Sequence, residues 1–222
     1  MVTLLLGLTA AVGVWAQPSV CASDGQPVPV ALLERFISAD CATCWQDTAT
    51  PVALPRQMAI DWIVPGAQGE DAPLSAAATR DALTRLAATA HTAPTGSAHT
   101  VTPVLSGQPR GTLRVAHGLP LNGYVGASIR FQPARAAKPP TGPLTAWLLL
   151  VEAIPAGTEG TPVSRQLARN LFMAEWGSAA RWQASPVMGI PEGTDPTRLK
   201  VLGWVQDAEG QVLAAAASRC TQ

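Results

Sequence analysis

Phe36-Ile37-Ser38-Ala39-Asp40-Cys41-Ala42-Thr43-Cys44-Trp45 is the stretch on which the reading of this chain turns. It ends a mostly apolar run, Val28 to Ile37, whose Val, Phe and Ile content reads as a buried strand. Two residues between Cys41 and Cys44 let the sulfurs meet if the second cysteine opens a helix. The helix N-terminus would then supply partial positive charge that favours a thiolate on Cys41. A dithiol placed in this way can exchange disulfides with another protein. A c-type haem needs His directly after the second Cys, and Trp45 stands there instead. Zinc needs two further ligands at a similar spacing, and no second Cys pair supplies them.

Outward from that motif, the bulk composition narrows the function classes. The 222 residues are 47% hydrophobic and carry 15 basic and 15 acidic side chains, so net charge is zero. Nothing in that balance points to nucleic acid or to an anionic surface. Only Lys138 and Lys200 are lysines, and the Arg excess reads as a compositional bias. Residues 2–15 are apolar but too short to span a bilayer. With Val14-Trp15-Ala16 behind them they read as a signal peptide, residues 1–16, cleaved before Gln17. A positive leader segment is missing, and Pro18-Ser19-Val20 ahead of Cys21 does not suit lipoprotein processing. The expectation is a periplasmic or secreted protein with no membrane span in its mature chain.

Four cysteines in an exported chain are expected to pair. Cys41 with Cys44 is one pair. Cys21 and Cys220 remain, one near each end, and a structural disulfide between them is expected because chain termini often lie close together. Cα atoms more than ~7 Å apart would exclude it.

Along the chain, Met58 to Val64 reads as a second buried strand stopped by Pro65-Gly66. Pro51 and Pro55 keep any helix opened at Cys41 short or kinked. Leu74 to Ala90 is Ala-rich, with Leu83 and Leu86 three apart and Asp81 and Arg85 at helical spacing, and reads as a helix. His91 to His99 reads as a loop, and Thr100 to Leu105 as a strand. Within it, Thr102-Pro103 is a candidate for a cis bond, the geometry a central strand needs to accept proline. An ordinary edge-strand proline is the competing reading.

Strand, CxxC, helix, strand, helix, proline-bearing strand is a thioredoxin-like order. After Gly111 the texture changes to strand-like runs separated by Gly and Pro: Thr112–Val115, Tyr124–Phe131 and Thr145–Val151. Leu199–Gln206 and Gln211–Ala215 flank a hairpin signal at Asp207 to Gly210. Ser164 to Trp176 fits both a helix face and a strand. The expected fold is therefore an α/β thioredoxin-like domain, residues 17–106, followed by an antiparallel β-rich, sandwich-like domain, residues 107–222.

These residues resemble an exported bacterial thioredoxin-like family known only as a domain of unknown function. The resemblance rests on Leu33 to Ser38 leading into Cys41-Ala42-Thr43-Cys44, on Ile60-Asp61-Trp62 and on Thr102-Pro103. It also takes in Trp204-Val205-Gln206 and Gly210 to Ala214. It implies a thioredoxin-like domain with a strand-rich one behind it and no settled activity. The family places His just ahead of the Ile-Asp position, where this chain has Ala59.

Cys41 is thus the candidate attacking thiolate and Cys44 the resolving thiol, with a protein thiol or disulfide as client and no cofactor. The competing reading is a redox-silent envelope binding or structural protein whose disulfides are static. A copper-handling use of the dithiol ranks third. Asp61 reads as a loop cap or a proton relay, and Trp45 as a wall of the site or a cover for apolar surface. His91, His99 and His117 are conceivable metal ligands beside the CxxC, but His91 and His99, eight apart in a Thr/Ser/Gly loop, have no recognised ligand spacing and read as solvated loop histidines. No Gly-rich phosphate loop or nucleophile elbow is present, and the sequence leaves the oligomeric state open.

Overall fold

The computed structural model describes residues 21–105, 111–134, 142–177 and 182–220. The expected signal peptide and the expected boundary at residue 106 lie outside them. In chain order the strands are β1 (Cys21–Ala22), β2 (Ala31–Ser38), β3 (Gln57–Val64), β4 (Ser97–Pro103), β5 (Gly111–His117) and β6 (Tyr124–Pro133). They continue as β7 (Leu144–Ile154), β8 (Arg165–Trp176), β9 (Gln183–Ala184), β10 (Val187–Gly189), β11 (Leu199–Gln206), β12 (Val212–Ala217) and β13 (Arg219–Cys220). Two short helices, α1 (Ala42–Trp45) and α2 (Arg80–Ala88), interrupt them.

The strands form two sheets. A seven-stranded sheet runs β12-β11-β7-β8-β3-β2-β4, and a six-stranded one runs β10-β6-β5-β1-β13 with β9 on β6. The first takes strands from both sides of residue 106. The protein is therefore β-rich throughout, not an α/β thioredoxin-like domain joined to a β-rich one. The physical reason is a shortage of helix. An α/β sheet needs helices long enough to cover both faces. Here α1 is one turn, halted before Pro51, and the helix expected from Leu74 breaks into a 3₁₀ turn, Ser75–Ala77, and the nine residues of α2. Strands and a second sheet do the covering instead. Ser164–Trp176, compatible with both periods, becomes β8 because it pairs with β7 from Leu144↔Trp176 to Ile154↔Arg165.

β2 is buried along its whole length, parallel to β3 and antiparallel to β4. Three apolar clusters organise the rest. One packs Leu32, Phe36, Ile60 and Trp62 with Leu86 of α2 and the stacked Trp147 and Trp204. A second lies where the sheets meet, joining Val115, Ile129 and Phe131 to Leu148, Leu150 and Val201. The sheets approach closely at Gly203, where a Cβ would fall 2.6 Å from Val115 Cγ1. The third gathers Ile37, Trp45, Ile63 and Leu167 around the CxxC. No helix among the described residues is long and apolar enough to cross a membrane.

Candidate functional site

β2 runs into the site as a buried strand, so its successive side chains face opposite sides with no solvent on either. Glu34 and Arg35 must each find a buried partner, since an unpaired buried charge is costly. Arg35 donates to Asp61 Oδ2 on the neighbouring β3 at 2.6 Å. Asp61 also holds Arg165 at 3.0 Å and accepts the Gln166 backbone N–H at 2.8 Å. The residue expected to cap a loop or relay protons is the anionic centre of a buried Arg–Asp–Arg cluster.

That cluster supports the motif directly. Arg165 donates to the backbone carbonyl of Trp45 at 2.8 Å, and its guanidinium lies 4.7 Å from the centre of the Trp45 ring. The indole N–H in turn reaches the carbonyl of Glu159 at 2.8 Å. Burial lowers the Arg165 pKa from its usual value, with Asp61 opposing and Arg35 adding to the fall. An arginine still keeps its charge at neutral pH. On the other side of the motif, Asp40 accepts the N–H groups of Ala67 and Gln68 at 2.7 and 3.3 Å. A side chain at Gly66 would strike the Asp40 carboxylate and displace it from these N–H groups.

Cys41 and Cys44 form a disulfide, and both are half-buried. Cys41 is the N-cap of α1. One turn of helix carries little of the dipole that the sequence promised. Arg35 and Arg165, both paired with Asp61, instead line the cleft that Cys44 opens onto. Cys44 lines a cleft of about 140 Å³ with Arg35, Asp47, Thr50, His99 and Arg165. The Arg35 Nε is buried there without a hydrogen-bond partner.

Thr102-Pro103 is not part of this site. Among the described residues no peptide bond is cis. Pro103 pairs with Ala31, and the motif lies beyond Ser38 at the other end of β2, about 23 Å away at strand rise. β4 brings its opposite end to the cleft: Ser97, Ala98 and His99 line it, and Gly96 sits beside Cys44. Pro103 is tolerated because β4 is an edge strand.

The three histidines separate. His91 and His99 are exposed, whereas His117 is buried on β5 opposite Cys21. Burial holds its pKa below the usual histidine range against the opposing Gly118 and Leu199 carbonyls. Cys21 and Cys220 are bonded, their Cα atoms 3.9 Å apart as direct partners on β1 and β13.

Sequence reasoning missed Arg165 and the second buried cluster. Arg85 does not pair with Asp81. It donates to both Glu34 oxygens, at 2.8 and 2.6 Å, and to Gln206 at 2.9 Å, with Trp147 and Trp204 flanking its guanidinium. Asp81 instead accepts the Leu171 N–H at 2.9 Å. Two adjacent charges inside an otherwise apolar strand, Glu34-Arg35, were the available signal.

Fold and site together define a two-sheet β protein carrying a half-buried CxxC disulfide on a buried cationic cluster. No protein-family model matches the chain, and no curated protein matches it. Among solved structures it is similar to HBP35 of Porphyromonas gingivalis, at 13% identity and a TM-score of 0.46. That match covers 87% of this chain and 76% of the other. A likeness this slight bears on neither fold nor function.

Proposed function

We propose that this chain is an exported thiol–disulfide exchange protein, with Cys41 as attacking thiolate and Cys44 as resolving thiol. The observation that supports it most is the half-buried Cys41–Cys44 disulfide at an open cleft, backed by two guanidinium groups. Nearby cations stabilise a thiolate. In the reducing direction, Cys41 attacks one sulfur of a client disulfide and expels the other as thiolate. Cys44 then attacks Cys41 in the mixed disulfide, releases the client's second thiolate and restores the bond described here. Two electrons pass to the client, and the reverse sequence oxidises it. β4 is exposed along one edge and its Ser97 end lines the cleft, so an extended client segment has backbone groups to pair with.

The test is turnover of a reference protein disulfide by the mature chain. Cys41→Ser is expected to abolish it, and Cys44→Ser to accumulate mixed disulfides on Cys41. If both variants behave as the parent does, the disulfide is static.

A further inference from the structure

Three neighbouring strands place three metal-binding residue types in one row. β13 and β5 flank β1, with Cys220 and His117 both in register with Cys21. The two sulfurs and a ring nitrogen of His117 all lie within 4.8 Å of one another. Donors around one ion at bond lengths of about 2.0–2.3 Å sit about 4 Å apart. The two sulfurs, bonded to each other in the disulfide, must therefore part by about 2 Å on reduction to flank a metal beside the His117 ring.

His117 is the observation that points to a ligand. It is 3% exposed, and its Nδ1 lies 2.8 Å from the Gly118 carbonyl, which fixes the proton on that nitrogen. The buried Nε2 makes no hydrogen bond of normal geometry, the Leu199 carbonyl being the other backbone group that acts on the ring. A backbone carbonyl orienting one ring nitrogen so that the other can coordinate is the usual support of a metal-bound histidine. A purely structural disulfide has no need of such an imidazole beside it.

We propose that, after reduction of the Cys21–Cys220 bond, Cys21, Cys220 and His117 bind one Cu(I) ion. Reduction needs an external dithiol. One of its thiolates attacks a bridge sulfur, its second thiol displaces the resulting mixed disulfide, and Cys21 and Cys220 are left as thiols. Cu(I) then replaces the two thiol protons, with no further change of oxidation state. Two thiolates and one imidazole suit a soft ion content with three ligands. Zinc can take the same three donors but completes its tetrahedron with a fourth ligand such as water, which Cu(I) does not need.

Contacts besides the bond also hold these strands. Ser23 N–H donates to Val115 O at 2.9 Å, Val115 N–H to Ser23 Oγ at 3.0 Å, and Arg114 pairs with Asp24. Ser218, just before β13, exchanges bonds with Val201 at 2.8 and 2.9 Å. Cys220 is exposed, which gives a copper donor access.

The experiment uses the mature chain carrying Cys41→Ser and Cys44→Ser, so that the other dithiol cannot contribute. After reduction it is titrated anaerobically with Cu(I) against a chromophoric chelator. One equivalent is expected to bind, with X-ray absorption showing two sulfurs and one nitrogen. His117→Ala should weaken binding at least roughly ten-fold, and the exposed Cys220→Ser should abolish it. Cu(I) should raise the melting temperature of the reduced parent, raise that of His117→Ala less and leave that of Cys220→Ser unchanged, which separates lost ligation from lost folding. No tight binding by the reduced parent overturns the proposal. So does copper held equally well after His117→Ala, or a site of sulfur donors alone.

Discussion

Cys21–Cys220 spans a sequence separation of 199 between neighbouring strands of one sheet, whereas Cys41–Cys44 spans a separation of three in the turn beyond β2. On the loop-entropy model, closing the long loop stabilises the fold by about 5 kcal/mol and closing the short one by about 2. Opening the short bond therefore costs the fold little, as the proposed exchange requires. The long bond acts as a tether, joining β1 to β13. Their settings differ accordingly. The short bond is half-buried at a cleft with cations behind it, and the long one lies across the ladder of three strands.

The largest effect expected from this comparison is on stability. Replacing Cys21 and Cys220 together by Ser should lower the urea-unfolding free energy of the oxidised protein by up to about 5 kcal/mol. The Cys41→Ser, Cys44→Ser pair should lower it by no more than about 2. Equal losses would remove the distinction between tether and reactive bond.

Next comes Asp61→Ala, which leaves Arg35 and Arg165 buried without their shared anion. Breaking a buried pair from one side costs about 3–5 kcal/mol. Chemical denaturation should show a loss of that size. Removing the long disulfide should add to this loss, because β1 and β13 belong to the other sheet from Asp61. Marked non-additivity would mean that the two regions are coupled.

How far the sequence led differs between these regions for physical reasons. The buried strands at Ala31–Ser38 and Gln57–Val64 were legible, because unbroken apolar runs bounded by Pro and Gly have few alternatives. The CxxC was legible from spacing. Its electrostatic support was not, because Arg165 lies a sequence separation of 120 from Trp45. The α/β reading failed where local pattern and tertiary pairing disagreed. Helical spacing over Leu74–Ala90 predicts one continuous helix, yet it yields only the nine residues of α2. Ser164–Trp176 carried both periods, and only its pairing with β7 decides between them. His117 looked like its solvated neighbours in sequence until β5 placed it opposite Cys21.

A smaller effect tests the cations that line the cleft beside the short bond. In the reduced protein, Arg165→Met removes a positive charge near the dithiol, so the thiol pKa should rise. A rise on the order of one pH unit, about 1.4 kcal/mol, would slow alkylation at pH 7 by up to about ten-fold. Arg85→Met removes the charge that serves Glu34 instead, and should leave the alkylation rate alone while lowering stability. Equal slowing by both would mean that general loosening, rather than local charge, sets the reactivity.

The smallest expected effect concerns Trp45, which touches the same arginine from the other side. Trp45→Phe keeps an aromatic ring near the guanidinium but loses the N–H donated to the Glu159 carbonyl. That carbonyl is only part-buried, so water can replace the lost donor and the net cost should be about 1 kcal/mol. Arg165 still donates to the backbone carbonyl of residue 45, which the substitution does not touch. The charge behind the dithiol therefore stays in place, and the alkylation rate of the reduced protein should match the parent within about two-fold. A rate that falls as far as in Arg165→Met would show that the indole, by fixing the turn, governs the thiols. The contrast between the two disulfides would then rest on rigidity and not on charge.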